Sequence, residues 1–192
     1  TEFPKPLQEI EAELLRAGRW EAELTQTRRD GTRIAVASRW ALRRDDAGLP
    51  LVILQISNDI TERRRAEEAR FHLASIVESS SDAIVSETRD GVIVSWNSSA
   101  ERIYGYPPEE VRGRSISILE PPDRAGEQQQ MWARIERGER IDHYETVRLR
   151  KDGKRIDVSL TVSPIVGASG RISGISTIAR DITESKRAEK KF

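Results

Sequence analysis

The chain has no cysteine, two histidines and one methionine among its 192 residues. A disulfide scaffold, a thiolate nucleophile and a cysteine-ligated metal are therefore excluded. His72 and His143 are too few imidazoles for an ordinary zinc site, so no metal centre is expected. Neither charge is in excess: 32 Lys plus Arg stand against 32 Asp plus Glu. Nucleic-acid binders usually carry a basic surplus, so no nucleic-acid partner is expected. No apolar run approaches the ~20 residues needed to span a bilayer, and no signal-peptide pattern opens the chain. The segment is expected to make no membrane contact and to be cytoplasmic, with an anchor elsewhere in a parent protein left open. Position 1 is threonine, which reads as a fragment of a longer protein. The length suits one ordinary domain or two small ones with a proper core.

What is present is an internal repeat. Arg29-Asp30-Gly31 and Lys151-Asp152-Gly153 are turn signals, and Asp59-Ile60-Thr61 recurs as Asp181-Ile182-Thr183. The offsets agree, because 152 − 30 and 181 − 59 both give 122. Between these anchors Arg33, Ile34, Val36, Gly48, Ile53 and Ile56 return as Arg155, Ile156, Val158, Gly170, Ile175 and Ile178. A period of this length is a duplicated small domain rather than a solenoid repeat.

Each copy reads as antiparallel strands. Ile156, Val158, Leu160 and Val162 alternate with Asp157, Ser159 and Thr161, which puts one face on a core. Strands are predicted near 144–150, 156–162 and 172–179, and in the first copy near 20–28, 32–43 and 51–58. A further hairpin, 83–85 with 92–94 around Arg89-Asp90-Gly91, belongs to the second copy alone. After each Asp-Ile-Thr the pattern turns helical. Asp59 with Glu62, and Asp181 with Glu184, have capping-box spacing. Ala66, Ala69, Leu73 and Ile76 then follow 3-4-3 spacing, an amphipathic helix and a candidate two-stranded coiled coil. Leu7, Ile10, Leu14 and Leu15 predict a helix near the start, and a longer one is predicted over 123–137.

Trp96-Asn97-Ser98-Ser99-Ala100-Glu101-Arg102-Ile103-Tyr104-Gly105-Tyr106, followed by Pro108-Glu109-Glu110-Val111-Arg112-Gly113, resembles the helical centre of a PAS domain. Lys151-Asp152-Gly153 and Arg180-Asp181-Ile182-Thr183 resemble its C-terminal part. The resemblance implies an α+β fold: a five-stranded antiparallel sheet with helices on one face, a pocket between them, and flanking amphipathic linker helices. It divides the chain into the C-terminal half of one PAS domain (1–61), a linker helix (62–79), a complete PAS domain (80–183) and the start of an output helix (184–192). It also implies that Asn97 ties the second strand to the next helix. Asp59, Thr61, Asp181 and Thr183 would fix the exits into the helices.

The same resemblance bears on cofactors. Where flavin-binding LOV domains carry Gly-Arg-Asn-Cys-Arg-Phe-Leu-Gln, this chain has Gly113-Arg114-Ser115-Ile116-Ser117-Ile118-Leu119-Glu120. Ile116 stands at the photoreactive cysteine, and Arg148, Val158 and Ala179 stand where flavin-facing amides belong, so LOV-type flavin is disfavoured. Glu127 stands where rhizobial oxygen sensors place the haem histidine, and Met131 and His143 read as core and surface residues, so haem is disfavoured too. No cofactor is expected. An unassigned small organic ligand stays open, with Ile84, Ile103, Ile116, Leu119, Met131, Val158, Leu160 and Ile178 lining either a cavity or a packed core. Arg148 either faces that space and meets a carboxylate ligand or snorkels to solvent.

The functional expectation is a sensory and dimerisation module. It would form a homodimer through linker helices and sheet face, and drive an output domain in the same parent chain, a histidine kinase or cyclic-dinucleotide enzyme. No catalytic residue is expected here. A phosphoacceptor role for His72 is weakened by Leu73 behind it and by the lack of a Gly-rich nucleotide motif. A ligand-free structural spacer is the remaining alternative. The shortened first copy is expected to leave a strand edge and a core face uncovered.

Overall fold

The computed structural model describes residues 1–189 and divides into two compact units, Thr1–Leu73 and Ala74–Phe192. In the first unit, helix α1 (Leu7–Ala17) precedes strands β1 (Arg19–Thr27), β2 (Arg33–Arg44) and β3 (Pro50–Asp59), an antiparallel sheet in the order β1-β2-β3. Ile10 and Leu14 lie on one face of α1 and bury against Trp20, Leu24 and Val36. Trp20 and Trp40 meet edge to face at 5.0 Å. The helix stops at Gly18, whose left-handed φ of 72° suits a residue without a Cβ. Among the described residues strand β3 pairs with β2 alone, and every one of its own residues is exposed. Leu51, Ile53, Leu54 and Ile56 thus present exposed apolar groups on both faces.

In the second unit, strands β4 (Ala83–Thr88), β5 (Ile93–Trp96), β6 (Ile141–Leu149), β7 (Arg155–Val166) and β8 (Ile172–Asp181) form one antiparallel sheet in the order β5-β4-β8-β7-β6. The expected α+β class and five-stranded sheet are what is found. Helices α3 (Ser98–Tyr104), α4 (Pro108–Val111) and α5 (Glu127–Glu136) lie between β5 and β6, with two 3₁₀ turns, Ile116–Leu119 and Pro122–Arg124. The core joins Val85, Val158, Leu160, Ile175 and Ala179 of the sheet to Trp96, Tyr104, Leu119, Met131, Trp132 and Ile135. Helix α2 (Thr61–Ser79) carries the unit boundary, and α6 (Thr183–Glu189) follows β8. The expected output helix reaches 192, but residues 190–192 lie outside the described residues.

The two Asp-Ile-Thr segments make the same contacts. Asp59 accepts from the Thr61 amide at 2.9 Å, and Asp181 from Thr183 at 2.9 Å. Thr61 Oγ1 accepts from the Ala35 amide at 3.0 Å, and Thr183 Oγ1 from Asp157 at 3.0 Å. Three expectations are corrected. The aspartates cap two residues on rather than three, as Asx turns, so the capping-box geometry gives way to an aspartate–threonine pair. The helix expected over 123–137 is split, because Gly126 at φ 90° breaks the chain between the Pro122–Arg124 turn and α5. Ile84 and Ile178 do not line an interior space. They pair across β4 and β8 on the outer face, Ile178 being 40% exposed, since the inward positions belong to Ala83, Val85, Ile175 and Ala179.

Candidate functional site

The inner face of β6 is polar. Tyr144, Thr146 and Arg148 alternate toward the helices, and Arg148 is 4% exposed, so the buried alternative holds for this arginine. Its partner is internal. Arg148 Nη1 donates to Glu127 Oε2 at 2.5 Å, and the Thr146 hydroxyl donates to the same carboxylate at 2.8 Å. Arg124 Nη1 at 3.2 Å and the Tyr144 hydroxyl at 3.3 Å complete the cluster. Glu127 opens α5, where unpaired helix amides favour a negative charge. Desolvation raises the Glu127 carboxyl, but the hydrogen bonds from Arg148 and Thr146 and the Arg148 charge outweigh it, so it titrates below its usual range. A buried pair of this kind persists because each charge neutralises the other.

A second buried carboxylate lies on β4. Glu87 is 3% exposed and accepts at Oε1 from Trp132 Nε1, at 2.9 Å, and from Gln128 Nε2. Burial, aided by the neighbouring Glu120 charge, pushes it up to about 7 against the pull of these donors. Glu120 accepts from the Gly126 and Gln128 amides at 3.2 and 2.7 Å, which caps α5.

Asn97 joins the elements at the entrance. Its Oδ1 accepts from the Ile84 amide at 2.9 Å and from Ala100 at 2.9 Å, so its side chain ties β4 to α3, where the resemblance implied a tie from the second strand, β5. Its Nδ2 donates to the Val77 carbonyl at 2.9 Å and the Asp82 carbonyl at 3.2 Å, which adds the last turn of α2. The Glu78 carboxylate accepts from the Ser98 amide at 2.9 Å. The Asp82 carboxylate is gripped twice by Arg180, at 3.1 and 2.9 Å, one residue before the Asp181–Thr183 exit. On α6, Lys186 pairs with Glu145 at 2.7 Å.

Of the candidate lining residues, Leu119, Met131, Val158 and Leu160 are buried in the core, and Ile103 and Ile116 pack against it. Arg148 joins them, while Ile84 and Ile178 do not. Sequence reasoning missed Glu87, Thr146, Tyr144, Asp82 and Arg180. The inward alternation Ala83-Val85-Glu87 was the available signal for Glu87. No group of three or more His, Cys, Asp or Glu able to hold a metal occurs among the described residues. No helix there is long and apolar enough to cross a membrane.

Against known proteins, residues 72–182 match the family model described as PAS fold, more than half of the chain. A sensor protein FixL of Bradyrhizobium diazoefficiens is 34% identical over 95 residues, 47% of this chain and 19% of that protein. Two-component system protein A of Emericella nidulans is 32% identical over 150 residues, 76% of this chain and 22% of that protein. The chain therefore spans about a fifth of the length of these relatives. Among solved structures, the PAS domain of a protein from Colwellia psychrerythraea is 27% identical with a TM-score of 0.57, covering 60% of this chain and 98% of that one. With five strands in this order and the matched segment centred on them, the chain belongs to the PAS fold family.

Proposed function

We propose that this chain is a sensory module of a signal-transduction protein, and that it relays a change in its core between α2 and α6 to an output domain elsewhere in the parent chain. The observation that carries this reading is the bonding around Asn97. One buried amide holds the end of α2, the start of β4 and the start of α3, and the adjacent Asp82 grips the last residues of β8. Displacement of α2, β4 or α3 must be shared by the others or break the buried Asn97 hydrogen bonds, and β8 is joined to them by the exposed Asp82–Arg180 pair. The relatives' names, a sensor protein and a two-component system protein, favour a histidine kinase as the output over a cyclic-dinucleotide enzyme.

The side chains do not fit the family's haem or LOV flavin. Glu127, at the haem-histidine position, is committed to Arg148 and Thr146, and Ile116, Val158 and Ala179 supply no thiol or amide. Arg148 already has an internal carboxylate where a ligand's would go. Trp96, Tyr104, Met131 and Trp132 fill the space between sheet and helices, which favours a second reading in which the module dimerises and signals without a small ligand. The reading places the module in the cytoplasm as a homodimer joined along α2, where Leu73 and Ile76 are exposed. It treats the first unit as the C-terminal half of a further PAS domain, on the strength of the shared Asp–Thr exit.

Asn97→Ala tests the relay by amide hydrogen exchange on the full chain. The expected result is faster exchange at Ile84 and Ala100, in the last turn of α2 and in α6 together. A change confined to Ile84 and Ala100 would sink the relay and leave Asn97 a helix cap.

A further inference from the structure

Glu87 occupies a position where strand alternation calls for an apolar side chain. It shares the inner face of β4 with Ala83 and Val85 and faces α5. Both donors that reach it, Trp132 Nε1 and Gln128 Nε2, are neutral, and they converge on Oε1. No ion pair to Glu87 forms among the described residues. The charged groups nearest it make their hydrogen bonds elsewhere and reach it only through space, Glu120 raising it and Arg148 lowering it. Glu120, before α5, is held by the Gly126 and Gln128 amides. Glu127 of α5 and Arg148 of β6 are committed to each other at 2.5 Å. On the flanking strands its register partners are Ile93 and Ile175, which do not ionise. A buried carboxylate held by neutral donors alone carries a desolvation cost that these contacts offset only in part, and a bound proton removes it.

We propose that Glu87 is a proton-binding site through which the pH around the protein sets the packing of β4 against α5. The proposal deepens the sensory reading by naming the proton as a signal, and it rests on that reading for any effect beyond these two elements. Protonated at Oε2, the side chain is a neutral acid whose Oε1 still accepts from Trp132 and Gln128, and the core stays closed. Deprotonated, it is a buried anion beside the Glu120 anion. The charge is relieved by admitting water between β4 and α5 or by drawing α5 back. Strand β4 starts beside the Asp82–Arg180 grip and the Asn97 bonds, and Ile175, opposite Glu87, lies on the strand that ends at Asp181. Movement at Glu87 is thus joined to α2 by the β4 backbone and to α6 through the β4–β8 pairing.

The test is carbon-13 NMR of glutamate carboxyls in the full chain, from about pH 4 to about pH 9, with Glu87→Gln as the assignment control. One carboxyl, absent in E87Q, is expected to titrate with a midpoint of about 7. Protection of the α5 amides, exchange corrected for its intrinsic base catalysis, should fall over the same interval in the wild type and stay level in E87Q. Trp132→Phe removes one donor to the anion, so the midpoint should move higher still. A Glu87 midpoint below about 5, a pH response of α5 that persists in E87Q, or an unmoved midpoint in W132F overturns the proposal. The relay reading fails separately: if Glu87 titrates and α5 responds while α2 and α6 do not, the proton site stands and the relay does not.

Discussion

At the scale of single residues, Arg148 and Glu127 form a pair that neither member could hold alone in the core. Arg148→Met strands the Glu127 carboxylate and is expected to cost about 3 kcal/mol, read as a lowered urea midpoint. Adding Glu127→Gln should restore much of the loss, because the orphaned charge is gone. A single variant as stable as the wild type would mean the pair is solvated. The two buried carboxyls also act oppositely on pH. Glu127 is depressed in the fold, so its contribution is present above its unfolded pKa and fades as pH falls through the folded value. Glu87 is raised, so its contribution is full below about 4.5 and fades as pH rises through about 7, by up to ~3 kcal/mol. Stability should therefore peak on the acid side of neutrality, and E87Q should remove only the alkaline limb. Denaturant midpoints measured against pH check both limbs. Arg148's burial was half legible, since period two puts it on one face with Thr146. Its partner was not, because Glu127 lies on another element and nothing local links the two. Glu87, next to a turn, reads as an ordinary strand end.

At the scale of elements, the strands and the two Asp–Ile–Thr exits were plain from alternation and repetition. The α5 start was not, because Gly126 broke a helical pattern that its flanking residues continue. The isoleucines of β8 show why facing was misread. Ile172, Ile175 and Ile178 fall every third residue, so in a period-two strand they cannot all face one way. Only the register with β4 decides that Ile175 is inward and Ile178 outward. That pairing is also tight. A Cβ on Gly174 would run into the Glu87 carbonyl oxygen, so Gly174→Ala should separate β4 from β8. A loss of about 2 kcal/mol or more is expected in urea unfolding, with exchange at Glu87 and Thr88 rising. Wild-type stability in this variant would show that the two strands have room to part.

At the scale of the whole molecule, two sheets of different size were legible, the first of three strands and the second of five. With β3 exposed along its length, amides of the first unit should exchange faster than those of β7 and β8 in native-state exchange. Equal protection would show that the β3 edge is satisfied. The coupling of α2 to α6 through the second unit is measured by a double-mutant cycle on Asp82→Ala and Arg180→Ala, with hydrogen exchange read in the last turn of α2 and in α6. Each single variant should quicken exchange at both ends, and the double variant should add nothing further. Effects that stay local to each substitution and sum in the double variant would contradict it.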